Sequence, residues 1–288
     1  MIKKYSINDA MKYYYLSLLL LLTACSSEKP VDIFVPKHIE IEPVIIVAEV
    51  ITRDKLLEPL FAAMQKQINE KLPFDEPLRE NGRQLDGMLR PTWVEAYMHH
   101  KRSYALENTR YRTVGPKTVP LVPQVCADFI IDTVDRAAGT WYADSLKHPE
   151  RIVGKFDFRK EMELANFNPR NADHIIQYFK TRPDDFEFIF DGDGPVVGDI
   201  AGLKKWFKDI NVQLGDLIII RGRAPWDRGK EIHYHSMFIT KMNSDEILIT
   251  GNANFPAEWS LEREVARAPK RKIISVIRFT NNFLRKMQ

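Results

Sequence analysis

The sequence predicts an α+β fold in which a cysteine-bearing helix packs on an antiparallel sheet. An apolar helical run follows Cys126 and stops at Gly139, and a series of β-rich segments follows near the C-terminus. Helices that precede a run of strands are typical of α+β domains. With 288 residues and 44% apolar content, the chain is long enough for one sizeable core.

Helical periodicity defines the elements that precede the cysteine. Apolar residues recur at every fourth position between 54 and 72, which predicts an amphipathic helix packed on the core. Thr92 followed by Glu95 fits a capping box and predicts a helix from 92 to about 104. β-Branched residues at 44–51 predict a strand.

After Cys126 the pattern changes from helix to strand. The helix is expected to run from about 125 to 138, and a long insert of about 144–212 follows it, with helices near 171–180 and 200–209. Short extended pieces are predicted at 157–159 and 186–190. Strands are predicted at 215–222, 232–241, 246–250 and 272–279, and a helical tail at 281–288.

The N-terminus is predicted to be a targeting segment. Three lysines precede a short apolar run at 16–22, which is too short to span a bilayer. The run ends in Leu22-Thr23-Ala24-Cys25 and resembles a bacterial lipobox. This resemblance implies cleavage after residue 24, lipidation of Cys25 with acyl chains such as palmitate, and a bacterial cell-envelope location. A serine at position 26 resembles the lipoprotein signals that direct a protein to the outer membrane, on its periplasmic side in a diderm cell. The alternative to a cleaved signal is an uncleaved anchor helix.

The charge of the mature chain argues against a nucleic-acid partner. The whole sequence carries a net charge of +3, and residues 1–24 contribute three lysines and one aspartate. Their removal lowers the net charge by two, to +1. A chain this close to neutrality lacks the electrostatic footprint of a nucleic-acid-binding protein. The expected membrane contact is the lipid on Cys25 alone.

Cys126 is the candidate nucleophile. The chain has two cysteines, and the lipid would consume Cys25, so Cys126 has no disulfide partner in an exported protein. Its expected place in the first turn of a helix favours the thiolate, because the helix N-terminus carries positive partial charge. The alternative is a small buried residue that only fills the core.

A histidine and an asparagine downstream complete a possible Cys-His-Asn set. His235 opens an alternating strand and is expected to face the helix that packs on the sheet. The next strand ends near Asn252, with Asn254 as a competing position or a substrate contact. His233 lies two residues from His235 and makes a zinc pair the rival interpretation, but no third ligand stands at a telling distance. A satisfied structural histidine is the third interpretation.

Two tryptophans are candidates for substrate binding. Trp141 follows the cysteine helix, and Trp226 lies at the tip of a charged loop. Trp141 has core packing as its alternative. No cofactor and no metal ion is expected.

The order of these motifs resembles the NlpC-type cell-wall cysteine peptidases, which have a papain-like fold. The resemblance rests on Cys126-Ala127-Asp128-Phe129, then Gly215-Asp216-Leu217, then His235-Ser236-Met237-Phe238-Ile239, and finally a polar residue near Asn252. It covers roughly residues 120–279. Val125 precedes the cysteine where the family usually has aspartate, and Ala127-Asp128 replace Ser-Gly.

The resemblance implies a membrane-tethered cysteine hydrolase that cleaves an amide bond. Envelope location and family together suggest peptidoglycan stem peptides as the substrate. The predicted regions are a signal at 1–24, a tether at 25–43, a mainly helical extension at 44–110, and the hydrolase-like domain at 111–288. Two other functions stay open: a catalytically silent binding lipoprotein on the same fold, and an acyltransferase that uses the same thioester.

Overall fold

The computed structural model describes residues 52–76, 87–223, 232–243, 246–267 and 269–288. The predicted signal, the predicted lipidation site Cys25, the predicted tether, the predicted strand at 44–51 and Trp226 lie outside these residues. In the described part, the helices are α1 (Arg53–Glu70), α2 (Leu89–Met98), α3 (Cys126–Ala137), α4 (Phe158–Leu164), α5 (Ala172–Lys180), α6 (Ile200–Asp209), α7 (Leu261–Arg267) and α8 (Asn281–Lys286).

The strands are β1 (Ser103–Leu106), β2 (Thr109–Arg112), β3 (Trp141–Tyr142), β4 (Arg151–Ile152), β5 (Phe186–Asp191), β6 (Leu217–Arg223), β7 (Ile232–Met242), β8 (Ile247–Asn252), β9 (Pro256–Ser260) and β10 (Lys272–Phe279). Six of them form one antiparallel sheet in the order β5-β10-β6-β7-β8-β9. The predicted α+β class with an antiparallel sheet is therefore confirmed.

The sheet is buried on both faces, and alternation along each strand assigns side chains to one face or the other. On β6, Leu217 and Ile219 pack with helices α1, α3 and α5 in one apolar cluster. Ile218 and Ile220 belong to a second cluster with helix α6 and the start of α7. We call these the α3 face and the α7 face of the sheet.

Helix α3 lies at the centre of the α3 face. Phe129, Ile130 and Val134 are fully buried there against the sheet. Leu56 and Leu60 of α1 enter the same cluster, and Val50–Gln288 forms one compact unit. The expected boundary between residues 110 and 111 therefore falls inside a unit whose two sides share a core.

The stretch predicted as an insert is part of this core. Strand β5 pairs with β10 and forms one edge of the main sheet. Phe158 of α4 and Phe179 of α5 are fully buried; Phe179 stacks on Phe186 of β5, and Phe158 meets the same ring edge-to-face. Residues 157–159, expected to be extended, begin helix α4, because the Asp157 side chain accepts a hydrogen bond from the Lys160 N–H and caps the first turn.

A row of buried carboxylates runs along α3 on the side away from the sheet. Asp128, Asp132 and Asp135 are fully buried and recur at the spacing of one helical face. Arg90 binds Asp132 through two hydrogen bonds of 2.7 and 2.8 Å. Arg159 bridges Asp128 at 2.8 Å and Asp132 at 3.0 Å. We call this set the α3 charge network.

The network extends to both ends of the helix. Arg151 contacts Asp135 at 2.7 Å. At the other end, Arg170 contacts Asp128 at 2.8 Å and Asp75 at 2.5 Å. Burial alone would raise the pKa of the Asp132 carboxyl, but the guanidiniums of Arg90 and Arg159 hold it below its ordinary value.

Asp75 also determines where α2 begins. Its carboxylate accepts hydrogen bonds from the backbone N–H groups of Leu89 and Arg90, at 2.6 and 3.0 Å. The helix therefore starts at Leu89 with a cap supplied from another segment. Thr92, expected to be the N-cap, lies inside the helix and donates to the Met88 carbonyl.

We expect Asp132→Ala to lower the free energy of unfolding by about 3–5 kcal/mol, because it leaves two buried guanidiniums without their shared carboxylate. Urea denaturation of the chain lacking residues 1–25 measures this. The matched control is Glu246→Ala, which breaks the exposed Lys241–Glu246 pair and should cost less than about 1 kcal/mol. Equal losses in the two variants would contradict the structural role assigned to the network.

Candidate active site around Cys126

Cys126 is the first residue of α3, as its sequence predicts. The N-cap is Val125, which has no side-chain acceptor for the first-turn N–H groups. The cap is made in the opposite direction, because the Asp128 carboxylate accepts the Val125 N–H at 3.0 Å. Val125 therefore leaves the N–H groups of the first turn uncapped. One of them, the Ala127 N–H, lies beside the thiol.

The thiol opens onto a cleft of about 650 Å³ at the end of the sheet where β7 starts and β8 ends. Strand β8 stops at Asn252 while β7 continues to pair with β6, so residues from both faces of the sheet reach the cleft. The residues that line it include Cys126, Ala127, Arg170, Asp173, His233, Tyr234, His235, Asn252, Asn254 and Glu264. The cleft thus brings together the cysteine, both histidines and both asparagines singled out by the sequence.

Asn252 lies on the α3 face, next to the start of the cysteine helix. It is fully buried, and its Nδ2 donates to the Gln124 carbonyl at 3.3 Å. This bond goes to the residue two positions before Cys126, and not to the imidazole of His235. Its Oδ1 is buried without a hydrogen-bond partner in the described part of the chain.

His235 does not face the cysteine helix, and this part of the sequence prediction is wrong. Tyr234 and Phe238 pack on the α3 face, whereas Met237 belongs to the α7 face. His235 lies two residues before Met237 on the strand and therefore points to the same face. Its ring stacks on Trp259, with the ring centroids 5.9 Å apart. The strand alternation therefore turns the imidazole away from α3.

The environment of His235 favours a neutral ring. Burial is the main reason that the pKa of His235 falls to about 4; Glu264 opposes this effect, and Arg271 and Arg267 add to it. Its Nε2 is buried, and no hydrogen-bond partner for it lies within the described residues. In the neutral tautomer that carries its proton on Nδ1, Nε2 is an acceptor, so this nitrogen is then a proton-accepting site that the present conformation leaves unused.

The thiol has a different neighbour. Cys126 Sγ donates to the backbone carbonyl of Tyr234 at 3.8 Å, which requires the protonated thiol. A thiolate–imidazolium pair between Cys126 and His235 is thus not formed in this conformation. Tyr234 itself donates its phenol hydrogen to Asp173 at 2.9 Å and borders the cleft beside the sulfur.

The other predicted site residues differ in whether they line the cleft. His233 and Asn254 line the cleft. Trp141 is buried in a separate cluster around Trp93, with the Arg136 guanidinium 3.7 Å from its ring centroid, so it packs in the core and does not bind substrate in this cleft. No group of three or more metal-ligating side chains occurs among the residues that the structure describes.

Arg170 is a cleft residue that the sequence did not identify. It links the cleft to the α3 charge network through Asp75 and Asp128. The available signal was its position in Asn168-Pro169-Arg170-Asn171, directly before a helix capped by Asn171. A helix-entry motif indicates local structure but does not indicate that an arginine there reaches a distant helix.

Comparisons with known proteins add no assignment: no family model, curated protein or solved structure matches the chain. Among the described residues, no helix has the length and apolar content needed to cross a membrane.

The low pKa of His235 predicts that the free energy of unfolding decreases as the pH is lowered. The unfolded chain binds a proton on this ring below about pH 6.5, whereas the folded protein binds it only near pH 4. Acidification therefore favours the unfolded state, and His235 should remove about 2 kcal/mol of stability between pH 8 and pH 5.

Urea denaturation at both pH values measures this contribution. His235→Gln should reduce the loss between pH 8 and pH 5 by about 2 kcal/mol. His148→Gln, at an exposed histidine, is the control and should leave the loss unchanged. An unchanged pH dependence in His235→Gln would show that the ring is accessible to solvent protons in the folded state.

Proposed function

We propose that this chain is an envelope-anchored cysteine hydrolase that cleaves an amide bond through Cys126, His235 and Asn252. The observation that carries the proposal is the composition of the cleft. Cys126 shares it with two buried residues, His235 and Asn252, that each keep one polar atom without a partner in the described part of the chain. Such atoms are rare in folded proteins and occur at functional sites.

The arrangement of the elements supports a papain-like fold of the NlpC type. A helix with cysteine at its first position packs on an antiparallel sheet. The histidine lies near the start of β7, and the asparagine at the end of the neighbouring strand β8. These positions match the order of motifs on which the resemblance was based.

Catalysis in this proposal needs the start of β7, beyond the point where β8 ends, to change conformation so that the His235 side chain moves from Trp259 on the α7 face to the thiol. The neutral Nε2 then accepts the thiol proton while Sγ attacks the carbonyl carbon of the amide. First-turn N–H groups at Ala127 and Cys126 stabilise the oxyanion. The imidazolium gives its proton to the leaving amine, and water releases the acyl group from sulfur. Catalytic hydrogen bonds are often unmade in unliganded enzymes and form when substrate binds.

The proposed substrate is the stem peptide of peptidoglycan, reached from a membrane to which lipid on Cys25 anchors the chain. In a diderm bacterium the corresponding location is the periplasmic side of the outer membrane. This assignment is an analogy with the NlpC-type peptidases, joined to the lipobox-like sequence before Cys25.

We expect Cys126→Ala to abolish release of new amino groups from a peptidoglycan digest, because no other thiol remains in the chain lacking residues 1–25. His235→Gln should lower the rate by roughly 10²–10⁴-fold, the usual effect of a general base. Trp141→Phe should change the rate little, since Trp141 packs outside the cleft. Full activity in Cys126→Ala would refute the proposal.

A silent binding lipoprotein is the competing function, and one observation favours it. Cys126 Sγ is already hydrogen-bonded to the Tyr234 carbonyl, while His235 stacks on Trp259. Acid-quenched intact mass spectrometry after incubation with peptide separates the alternatives. An adduct on Cys126 that water releases indicates a hydrolase, one that only an added amine releases indicates an acyltransferase, and no adduct indicates a binding protein.

A further inference from the structure

The hairpin of β1 and β2 and the turn after it carry a local excess of positive charge. Residues 101–117 contain five basic residues and one acidic residue, which gives this segment a net charge of +4. The mature chain as a whole is expected to carry only +1. The positive charge is therefore concentrated on this segment, and the other residues of the mature chain sum to a negative charge.

Strand pairing places two arginines on the outer face of the hairpin. Ser103 pairs with Arg112, and Ala105 pairs with Arg110, so these four side chains point to the same face. Both arginines are exposed, whereas the intervening position Tyr104 is buried in the core. The hairpin thus packs through one face and presents the arginines to solvent on the other.

A third arginine extends this outer face at the base of the hairpin. An open depression of about 540 Å³ is lined by Arg102, Arg110 and Arg112, and Gly115 and Pro116 form one of its walls. None of the described residues that line it carries a carboxylate. We give the name basic hairpin face to the surface formed by Arg102, Ser103, Ala105, Arg110 and Arg112.

The arginines of the basic hairpin face have no carboxylate partner within the described ranges. Arg110 donates two hydrogen bonds to the Ser103 hydroxyl, at 2.9 and 2.7 Å, and this neutral acceptor leaves its charge uncompensated. Since Ser103 lies opposite Arg112, these bonds hold the Arg110 guanidinium close to a second cation. Arg102 and Arg112 likewise form no ion pair with any described residue. Neighbouring like charges without a counter-charge favour an anionic partner.

The exposure of these side chains favours an extended anionic surface over a small bound anion. A site for one small anion needs donors that converge in a concave pocket, whereas these arginines are exposed along one face of a hairpin. Basic side chains near an anionic lipid surface each add a modest attraction, and these attractions accumulate. A lipid anchor combined with a basic patch holds a protein to a membrane more firmly than either signal alone.

We propose that the basic hairpin face binds the phosphate groups of an anionic membrane surface. The membrane is the one to which lipid on Cys25 anchors the chain, so the hairpin supplies a second contact with it. This inference rests on the proposed function only for the presence of that anchor, and it requires no chemistry at Cys126. Contact through the hairpin gives the folded unit a defined side toward the membrane.

The test is flotation of the chain lacking residues 1–25 with lipid vesicles. This form has neither the lipidation site nor the apolar run at 16–22, and it keeps the compact unit Val50–Gln288, which contains the whole described core. One set of vesicles is phosphatidylcholine, and the other is equal parts phosphatidylcholine and phosphatidylglycerol. We expect binding to the anionic vesicles alone at a salt concentration of about 0.1 M, and weaker binding as salt is added.

Arg110→Gln with Arg112→Gln should weaken vesicle binding roughly 25-fold, because each basic side chain near an anionic surface contributes roughly fivefold. Arg263→Gln with Arg285→Gln is the matched control. It removes the same charge from two exposed arginines outside the hairpin and should change the affinity little. Arg110→Lys with Arg112→Lys keeps the charge and should keep most of the binding, which separates charge from any effect of the lost Ser103 bonds on folding.

The inference is overturned if the native chain does not bind the anionic vesicles, or if Arg110→Gln with Arg112→Gln binds as tightly as the native chain. An equal loss in the matched control would indicate a general charge effect, and an equal loss in the lysine variant would indicate a structural role; either result also overturns it. Glycerol 1-phosphate that releases the protein at constant ionic strength would indicate a site for a single phosphate group instead of a membrane surface.

These results are independent of the proposed function. Vesicle binding by the chain lacking residues 1–25 reads neither activity nor lipidation. Full hydrolysis by Cys126→Ala, or an exported chain whose intact mass shows no lipid on Cys25, would count against the proposed function and leave the measured vesicle binding in place. Loss of vesicle binding would, in turn, leave the role of Cys126 as the nucleophile unaffected.

Discussion

The burial of three carboxylates along one face of α3 is the constraint on which the rest of the structure depends. Charges cannot be removed from water without compensation, and here the compensation comes from four arginines on four different segments. Arg90 precedes the helix in the chain, whereas Arg151, Arg159 and Arg170 follow it. The network therefore fixes the position of α3 relative to segments that apolar packing alone would leave free to shift.

This constraint acts directly on the candidate nucleophile. Asp128 belongs to the network and also accepts the Val125 N–H, one residue before Cys126. Gln124 donates to Asp132 at 2.5 Å, and its carbonyl accepts from Asn252 at the end of β8. The two residues before the cysteine are thus tied to the buried carboxylates and to the sheet. Such support keeps the Cys126 backbone in one place while a neighbouring side chain moves.

The moving part in the proposed mechanism is His235. Its ring is buried against Trp259 on the α7 face, where burial keeps it neutral at physiological pH. The cleft passes the ends of β7 and β8, so the imidazole borders it from one face of the sheet and the thiol from the other. In the proposed mechanism, this arrangement holds the imidazole apart from the thiol until the start of β7 changes conformation.

The sequence predicts the long periodic elements well, because their apolar residues follow a single period. Helix α1, helix α3 and strand β10 lie within two residues of their predicted bounds. The orientation of His235 was not predictable in the same way. Its strand carries apolar side chains on both faces, since Met237 and Phe238 are neighbours in the sequence. Alternation alone therefore does not identify the face that meets α3. The cap of α2 was missed because Asp75 supplies it from a distant segment.

The most direct test of the account is the rate at which iodoacetamide alkylates Cys126 in the folded chain lacking residues 1–25, between pH 5 and pH 8. If His235 reaches the thiol, the native protein should react at least about tenfold faster than His235→Gln at pH 6, and His148→Gln should match the native protein. Equal rates for native protein and His235→Gln, or labelling that requires denaturant, would contradict a Cys126–His235 pair and favour a binding lipoprotein with a buried thiol.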